Sequence, residues 1–450
     1  MKKEKLLASV LAAAWAFTVA PAFDTGITEI NLFRPAFARA KDAAYQNESL
    51  HPLPLVTSTH YYSDWDGPFE MLRSHWADIG YYGNAKAPEQ KVAKSLADFS
   101  RKKRDDFGRM RKLMFSDSKA DWRQRVKDRS PYYGPYWFNG DILVHRADSA
   151  AVSFLEDNGI YSGGTHGSTE LAAKNYDVRT GKELQLSDVF VNKHTLAEAL
   201  KKRLKEDYPD SGIMEDGGAA AADAVNRMIR EDSLVWTLDP HGATFWFNPY
   251  LLGGTYAEGT FVTTLFFSES PELFKRNEGT DAFYWRALEG YCMDIPLYTA
   301  VRVSDKPGEK LTVGRDNDGI QIEFRGDEYR NELELRNSDF RPVFVNCSDG
   351  RKYLYVDYEE PASKYSATSY RLYVYDLNGA SPRFVGVYPM TRLASHLKDT
   401  TIRSWYVMSN PNDFYMTATM DSELAPGKRL RCRVGNDGAP EVYEIEGAKG

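Results

Sequence analysis

Cysteine is scarce: Cys292, Cys347 and Cys432 are the only three in 450 residues. Thiols so few and so scattered exclude a disulfide framework and a zinc site with close ligand spacing. One bridge remains open to them, with Cys347–Cys432 the preferred pair because both lie near the C-terminus. Three small buried thiols are the equal alternative. Histidine is also sparse, at eight. No HExxH or similar pairing is present, so metal binding is not expected, and His166 with His145, His241 or Glu258 is the set left open. Positive charge is in deficit, with 57 Lys and Arg against 64 Asp and Glu, a net charge of −7. That balance argues against nucleic acid or an anionic membrane as partner and tolerates a basic one. Beyond the N-terminal region no apolar run reaches membrane length.

The N-terminus reads as an export signal. Lys2, Lys3 and Lys5 precede the uncharged run Leu6 to Ala20, and Ala20-Pro21-Ala22 fits small-residue cleavage. Ala38-Arg39-Ala40 offers a second cleavage site, and retention as an anchor is the alternative. Loss of residues 1–22 removes three lysines and one glutamate, taking the net charge from −7 to −9. The expected location is the periplasm, the cell envelope or the exterior. A hydrophobic share of 42% and a charged share of 27% give enough apolar surface for real cores, and the length suits two or three compact units.

Residues 23–50 are Ala-rich and weakly patterned, a flexible lead-in. Leu53 to Tyr62 predicts a first strand. Val92, Leu96, Phe99, Phe107, Met110 and Met114 then recur at helical spacing, with Pro88 suited to the first turn. Ile142, Val144 and Arg146 alternate as a strand does, and a second strand runs from Val152 to Tyr161. "KNYDVRTGKELQLSDVF" (174–190) predicts a hairpin turned at Gly181. Leu196, Leu200 and Leu204 mark one helix, and Val225 and Ile229 another. "SLVWTLDPHGATFWFNPY" (233–250) is a second hairpin, followed by a Gly-rich loop over 248–259 and a strand over 260–267. Helices and antiparallel hairpins mixed without a βαβ rhythm predict an α+β domain over 51–275. A linker over 276–297 and a small all-β domain over 298–450 follow. In the latter, "YRLYVYDLNGASPRFVG" (370–386) aligns without gaps on "KRLRCRVGNDGAPEVYE" (428–444), which predicts a duplicated meander.

Two loops draw attention. "YSGGTHG" (161–167) puts Ser162 and His166 among Gly163, Gly164 and Gly167. A hydrolase serine would sit on a Gly-x-Ser-x-Gly elbow, and a phosphate loop would be followed by Lys-Ser or Lys-Thr; neither is present. The glycines more simply shape a turn, with His166 bonded to nearby carbonyls. The second loop carries Tyr250 and Tyr256 beside Gly253, Gly254 and Gly259, with Trp246 and Phe247 expected in the core. Glu156, Asp157, Glu170 and Glu258 flank these loops, and their separations cannot be read from the sequence.

Taken in order, "YSGGTHG", "NYDVRTGKELQLSDVF", a helix and "FNPYLLGGTYAEG" resemble the exported domain shared by the anti-sigma factor RsiV and the peptidoglycan deacetylase PdaC. The resemblance covers about 140–275 and extends more loosely over 50–140. It implies an α+β fold with helices packed on an antiparallel sheet and, from RsiV, binding of lysozyme through its substrate cleft. Only five residues precede the apolar run, so no sigma-binding segment is expected, and no deacetylase signature is present. The expectation is a non-enzymatic, cofactor-free binding protein of the bacterial envelope, recognising a lysozyme-like protein or a cell-wall glycan. Tyr161, Ser162, Thr165, His166, Tyr250 and Tyr256 are the expected contacts. The alternative is a cell-wall hydrolase using Ser162 and His166, or a carboxylate pair.

Overall fold

The computed structural model describes residues 50–446 apart from 88, 133, 276–283, 285–287, 307, 317, 333–338, 361–368, 395–400 and 425. The expected leader (1–22), nearly all of the lead-in, and Pro88 lie outside the described residues.

The first sheet contains β1 (Leu55–Asp66), β2 (Phe69–Tyr81), β3 (Tyr136–Ala147), β4 (Ala151–Tyr161) and β5 (Ser168–Asp177). A sixth strand, β19 (Ile402–Tyr406), arrives from far down the chain, giving the order β19-β1-β2-β3-β4-β5. All neighbours are antiparallel except β2 and β3. A parallel pair needs a long crossover, and α1 (Gln90–Asp128) supplies it. Val92, Leu96, Phe107 and Met114 form the buried stripe of α1. The first two pack among Ile79, Val144 and Phe154, the others among Leu72, Trp76 and Phe138. Arg111 fixes the helix laterally by donating twice to Asp64, at 2.7 and 2.6 Å.

A three-stranded sheet covers part of the opposite face, built from β6 (Val235–Asp239), β7 (Gly242–Phe247) and β8 (Phe261–Phe266). The helices α2 (Lys193–Asp207) and α3 (Ala219–Arg230) close its core through Leu196, Leu200, Leu204, Val225 and Ile229. Buried polar groups stitch the two sheets together: the Leu238 amide donates to Ser153 Oγ and Asn175 Oδ1, and Asn175 Nδ2 donates to the Trp236 carbonyl. The hairpin expected over 174–190 is reduced to a turn with one bridge, Tyr176–Glu183. Its second limb becomes a helical turn, Leu186–Val189, because both of these residues bury into the core beside the helices.

The remaining chain is all β. One sheet holds β10 (Val301–Arg302), β11 (Lys310–Asp316), β12 (Gly319–Phe324) and β13 (Asp327–Glu332). A second, in the order β17-β16-β15-β14-β9, joins β9 (Tyr291–Asp294), β14 (Phe340–Asn346), β15 (Lys352–Glu360), β16 (Ser369–Asp376) and β17 (Arg383–Tyr388). A third contains β18 (Met390–Thr391), β20 (Phe414–Ala418), β21 (Arg429–Val434) and β22 (Pro440–Ile445). The internal sequence echo falls on the hairpins β16–β17 and β21–β22, each with one register shift. The fold is therefore α+β and mainly antiparallel, passing into an all-β region.

One expectation needs correction. Residues 276–297 do not divide separately packed units. Tyr291–Asp294 is itself a sheet strand, β19 completes the first sheet, and one apolar core joins Leu155, Trp246 and Val262 to Met293, Phe344 and Tyr373. Of the two alternatives for the cysteines, the second is found: all three are unbridged and buried in the C-terminal core.

The tie between the halves centres on Asp294. Its Oδ2 accepts the Val144 amide of β3 at 2.8 Å, and its Oδ1 accepts Arg392 Nη1 at 3.1 Å. Arg392 is 2% exposed and also donates to Asp357, which is fully buried. Removing Asp294 leaves Arg392 paired with Asp357 but strands the Val144 amide and takes away one of the two carboxylates on the guanidinium. Asp294→Ala is expected to cost about 1–3 kcal/mol, and urea unfolding should remain one transition reported equally by near- and far-UV circular dichroism. An unchanged midpoint, or two separate transitions, would contradict this coupling.

Candidate functional site

The two glycine loops meet. The 161–167 loop connects β4 to β5, and the 248–259 loop connects β7 to β8. Asn248 holds them in register by pairing with β5 as a strand would: Oδ1 accepts the Leu171 amide at 2.7 Å and Nδ2 donates to the Leu171 carbonyl at 3.1 Å. The His166 ring stacks on Tyr256 at 4.9 Å between centroids, and Tyr250 lies 5.8 Å from Tyr256. Tyr256 Oη donates to the Gly167 carbonyl at 3.1 Å, which also accepts His166 Nδ1 at 2.8 Å. Tyr250 is 62% exposed and holds a φ of 70°, a conformation strained for a bulky side chain. Such strain accompanies functional loops more often than inert ones.

Glycine is demanded at five of the six positions expected to need it: Gly253 and Gly259 have φ values of 89° and 72°, and a Cβ at Gly254 would stand 2.8 Å from Glu258 Oε2. Gly163 has a φ of 84°, and a Cβ there would stand 2.9 Å from the Tyr136 ring. At Gly167 a Cβ would meet Trp137 at 2.8 Å. Gly164, in contrast, has room for a side chain and no left-handed φ, so its expected special conformation is not found.

Ser162, Thr165, His166 and Tyr250 are exposed, while Tyr161 and Tyr256 are half-buried. Tyr161 is a brace rather than a free contact: its Oη donates to the Gly164 carbonyl at 3.0 Å, and its ring stacks on Trp137. No hydrogen bond joins Ser162 to His166, whose ring is committed to Gly167 and Tyr256. Glu258 accepts from the Thr255 and Gly212 amides and caps the turn Tyr256–Glu258, which accounts for its lowered pKa. Trp246 and Phe247 lie in the core, at 1% and 0% exposure. Among the described residues no group of three His, Cys, Asp or Glu side chains is placed to hold a metal.

The structure brings together a second set of residues that the sequence left dispersed. Asp141 and Asp157 stand directly opposite on β3 and β4, on the sheet face away from α1. His75 Nε2 donates to Asp141 Oδ2 at 3.0 Å, and Arg341 lies 3.9 Å from Oδ1. Asp157 has no hydrogen-bond or ion-pair partner among the described residues. Burial, then the Asp141 charge, push the Asp157 carboxyl up to about 6, with His75 opposing. Burial also raises Asp141, but His75, with Arg341 and Lys103, outweighs it and holds that carboxyl at about 2. The recess stays open, since 32% of the Asp141 side chain is exposed. Alternation alone puts both aspartates on this face; only the strand pairing, which is non-local, makes them neighbours.

The two carboxyls act in different pH windows. A folded pKa above the ordinary 3.8 means Asp157 stabilises the fold below about pH 4, an effect lost as pH rises through about 6. Asp141, with its lowered value, stabilises above its ordinary pKa and loses that effect as pH falls toward 2. Asp157→Asn is therefore expected to raise stability by about 1–3 kcal/mol at pH 7.5 and to add nothing at pH 4. Urea titrations at both pH values check this; an equal gain at each would refute it.

No family model matches the sequence, and no curated protein matches it. Among solved structures, a DUF3298 family member from Bacteroides fragilis is similar at 17% identity, over 50% of this chain and 96% of that one, with a TM-score of 0.38. A DUF3298 family protein from Pseudomonas aeruginosa is similar at 15% identity, over 50% of this chain and 95% of that one, with a TM-score of 0.31.

Proposed function

We propose that this is an exported binding protein of the bacterial envelope, of the RsiV type, whose contact surface is the paired loops 161–167 and 248–259. It recognises lysozyme or another wall-directed protein, or a peptidoglycan glycan, without chemistry of its own. The observation that carries this reading is the stack of His166 on Tyr256 beside the exposed Tyr250. Aromatic rings on a rigidly held loop offer large contact area at small entropic cost, whether the ligand is a protein cleft or a sugar ring.

Titration of the immobilised protein with lysozyme and, separately, with muropeptides tests the reading. Tyr250→Ala is expected to cost about 2 kcal/mol, roughly thirtyfold in Kd. Tyr256→Ala is expected to cost more, because it also removes the support of His166. Absence of binding to both ligands, or affinities untouched by both substitutions, removes the assignment.

One observation favours a second reading, hydrolysis of a wall glycan by a carboxylate pair. Directly opposed residues place their Cβ atoms about 4.5–5.5 Å apart, and retaining glycosidases hold their carboxyls about 5–5.5 Å apart. On this reading Asp157 is the proton donor and Asp141 the ionised partner. Release of reducing ends from purified peptidoglycan, abolished in Asp157→Asn, is the expected result; no release by the unaltered protein rejects it.

A further inference from the structure

The helix α1 packs chiefly on β2 and contacts β3 only lightly. The helix therefore covers the α1-side face of β4 and β5 only in part, and a groove of about 650 Å³ runs between the helix and those strands. Its walls reach from Ser95 to Leu113 on the helix and from Tyr176 to Ser168 on β5. That is about 27 Å on either side, at 1.5 Å per helical and about 3.4 Å per strand residue. The volume falls in the range of small-molecule sites.

The groove has a consistent chemistry. Its helix wall and far end present Phe99, Met110, Leu113 and Ile160, with Leu113 41% exposed. Its charged groups largely neutralise one another: Lys103 with Glu156, Lys174 with Glu183, and Arg109 with Asp106. On the floor lies Glu156, 1% exposed. One of its oxygens accepts Lys103 Nζ, which also donates to Asn158 Oδ1 at 2.9 Å. The other, Oε1, is buried with no partner among the described residues. An orphan acceptor of this kind is costly and calls for a donor. Gly140 beneath it leaves the space that this arrangement uses, since a Cβ there would stand 2.9 Å from Asn158 Oδ1.

We propose that this groove is a second ligand site, separate from the loop pair, for a small neutral amphiphile. The apolar body of the ligand lies along Phe99, Met110, Leu113 and Ile160, and a hydroxyl or amide N–H in its head donates to Glu156 Oε1. Charge pairing within the groove selects a neutral head: an anionic head would face the Glu156 carboxylate, and a cationic one would compete with Lys103, which is already in place. This inference does not rest on the binding role assigned to the loops.

Octyl glucoside, a neutral hydroxylated head on an alkyl chain, is the probe, with sodium octanoate as its anionic counterpart. Both are titrated into the full chain below their micellar concentrations and followed by calorimetry and saturation-transfer NMR. The expected result is octyl glucoside binding at least tenfold tighter than octanoate. Leu113→Glu, on the exposed rim, should weaken octyl glucoside at least tenfold with an unchanged thermal transition. Glu156→Gln should narrow or invert the preference, because an amide donor and a released Lys103 favour the anion. Tyr250→Ala should change nothing, which keeps this site distinct from the loops. No binding of octyl glucoside, equal binding of the two probes, or insensitivity to Leu113→Glu overturns the proposal.

Discussion

The structure depends on one shared carboxylate. Asp294 accepts an amide from β3 of the first sheet and a guanidinium from Arg392 in the C-terminal region. The first interaction is available to neither half alone; the second, like the Arg392–Asp357 pair, lies within the C-terminal region. An isolated first sheet would leave the Val144 amide without that acceptor, and an isolated C-terminal region would keep Arg392 with Asp357 but expose the apolar surface that covers Leu155 and Trp246. The pairing of β19 with β1 over five residues extends the same constraint to the sheet edge. Edge strands invite unwanted pairing, and here a segment of the same chain fills that position.

This arrangement gives the two faces of the first sheet different surroundings. The face toward α1 is apolar beneath the helix and opens into a groove where the helix does not reach. The other face is covered at one end by the small sheet and at the other by the C-terminal strands. Between these covers lies the recess of His75, Asp141 and Asp157. Its rim is polar and coupled: Tyr61 donates to Asp339 at 2.7 Å, Arg403 pairs with Asp339 and Glu359, and Arg341 donates to Thr59 at 2.8 Å. A like-charged pair placed directly across two strands is unfavourable for stability. The neutralising groups around it, His75 and Arg341 foremost, offset part of that cost.

Local features were legible in the sequence and non-local ones were not. The helical stripe of Val92, Leu96, Phe107 and Met114, the hairpin at 233–250 and the two echoed hairpins all follow from periodicity and turn residues a few positions apart. The meeting of His166 with Tyr256 depends on Asn248 pairing with Leu171, 77 positions away, which no local pattern encodes. The parallel register of β2 and β3 across a 39-residue helix is of the same kind. So is β19, whose residues read as part of a separate domain because nothing near 402–406 signals a partner near residue 58. The hairpin expected at 174–190 failed for a different reason: tertiary burial of Leu186 and Val189 overrode a valid turn signal.

The bulge in β3 shows how a small irregularity places several of these features at once. Pairing with β4 shifts between Val144 and Arg146. Up to that point Asn139, Asp141 and Leu143 face away from α1; beyond it the parity reverses, and Arg146 stands opposite Ser153 on that same inner face. Such a shift lets two successive residues aim the same way. His145 reaches the fully buried Asp239 at 3.0 Å, and Arg146 reaches Asp148 at 2.8 Å. The Val144 amide, with no β2 partner at this height, is free to meet Asp294. A regular β3 would turn Arg146 toward α1 and the apolar stripe of the helix, burying a charge without its acceptor, which is far more costly than the disrupted ladder. The same strand therefore sets the tie between the halves and, a few residues earlier, the face on which the opposed aspartates stand.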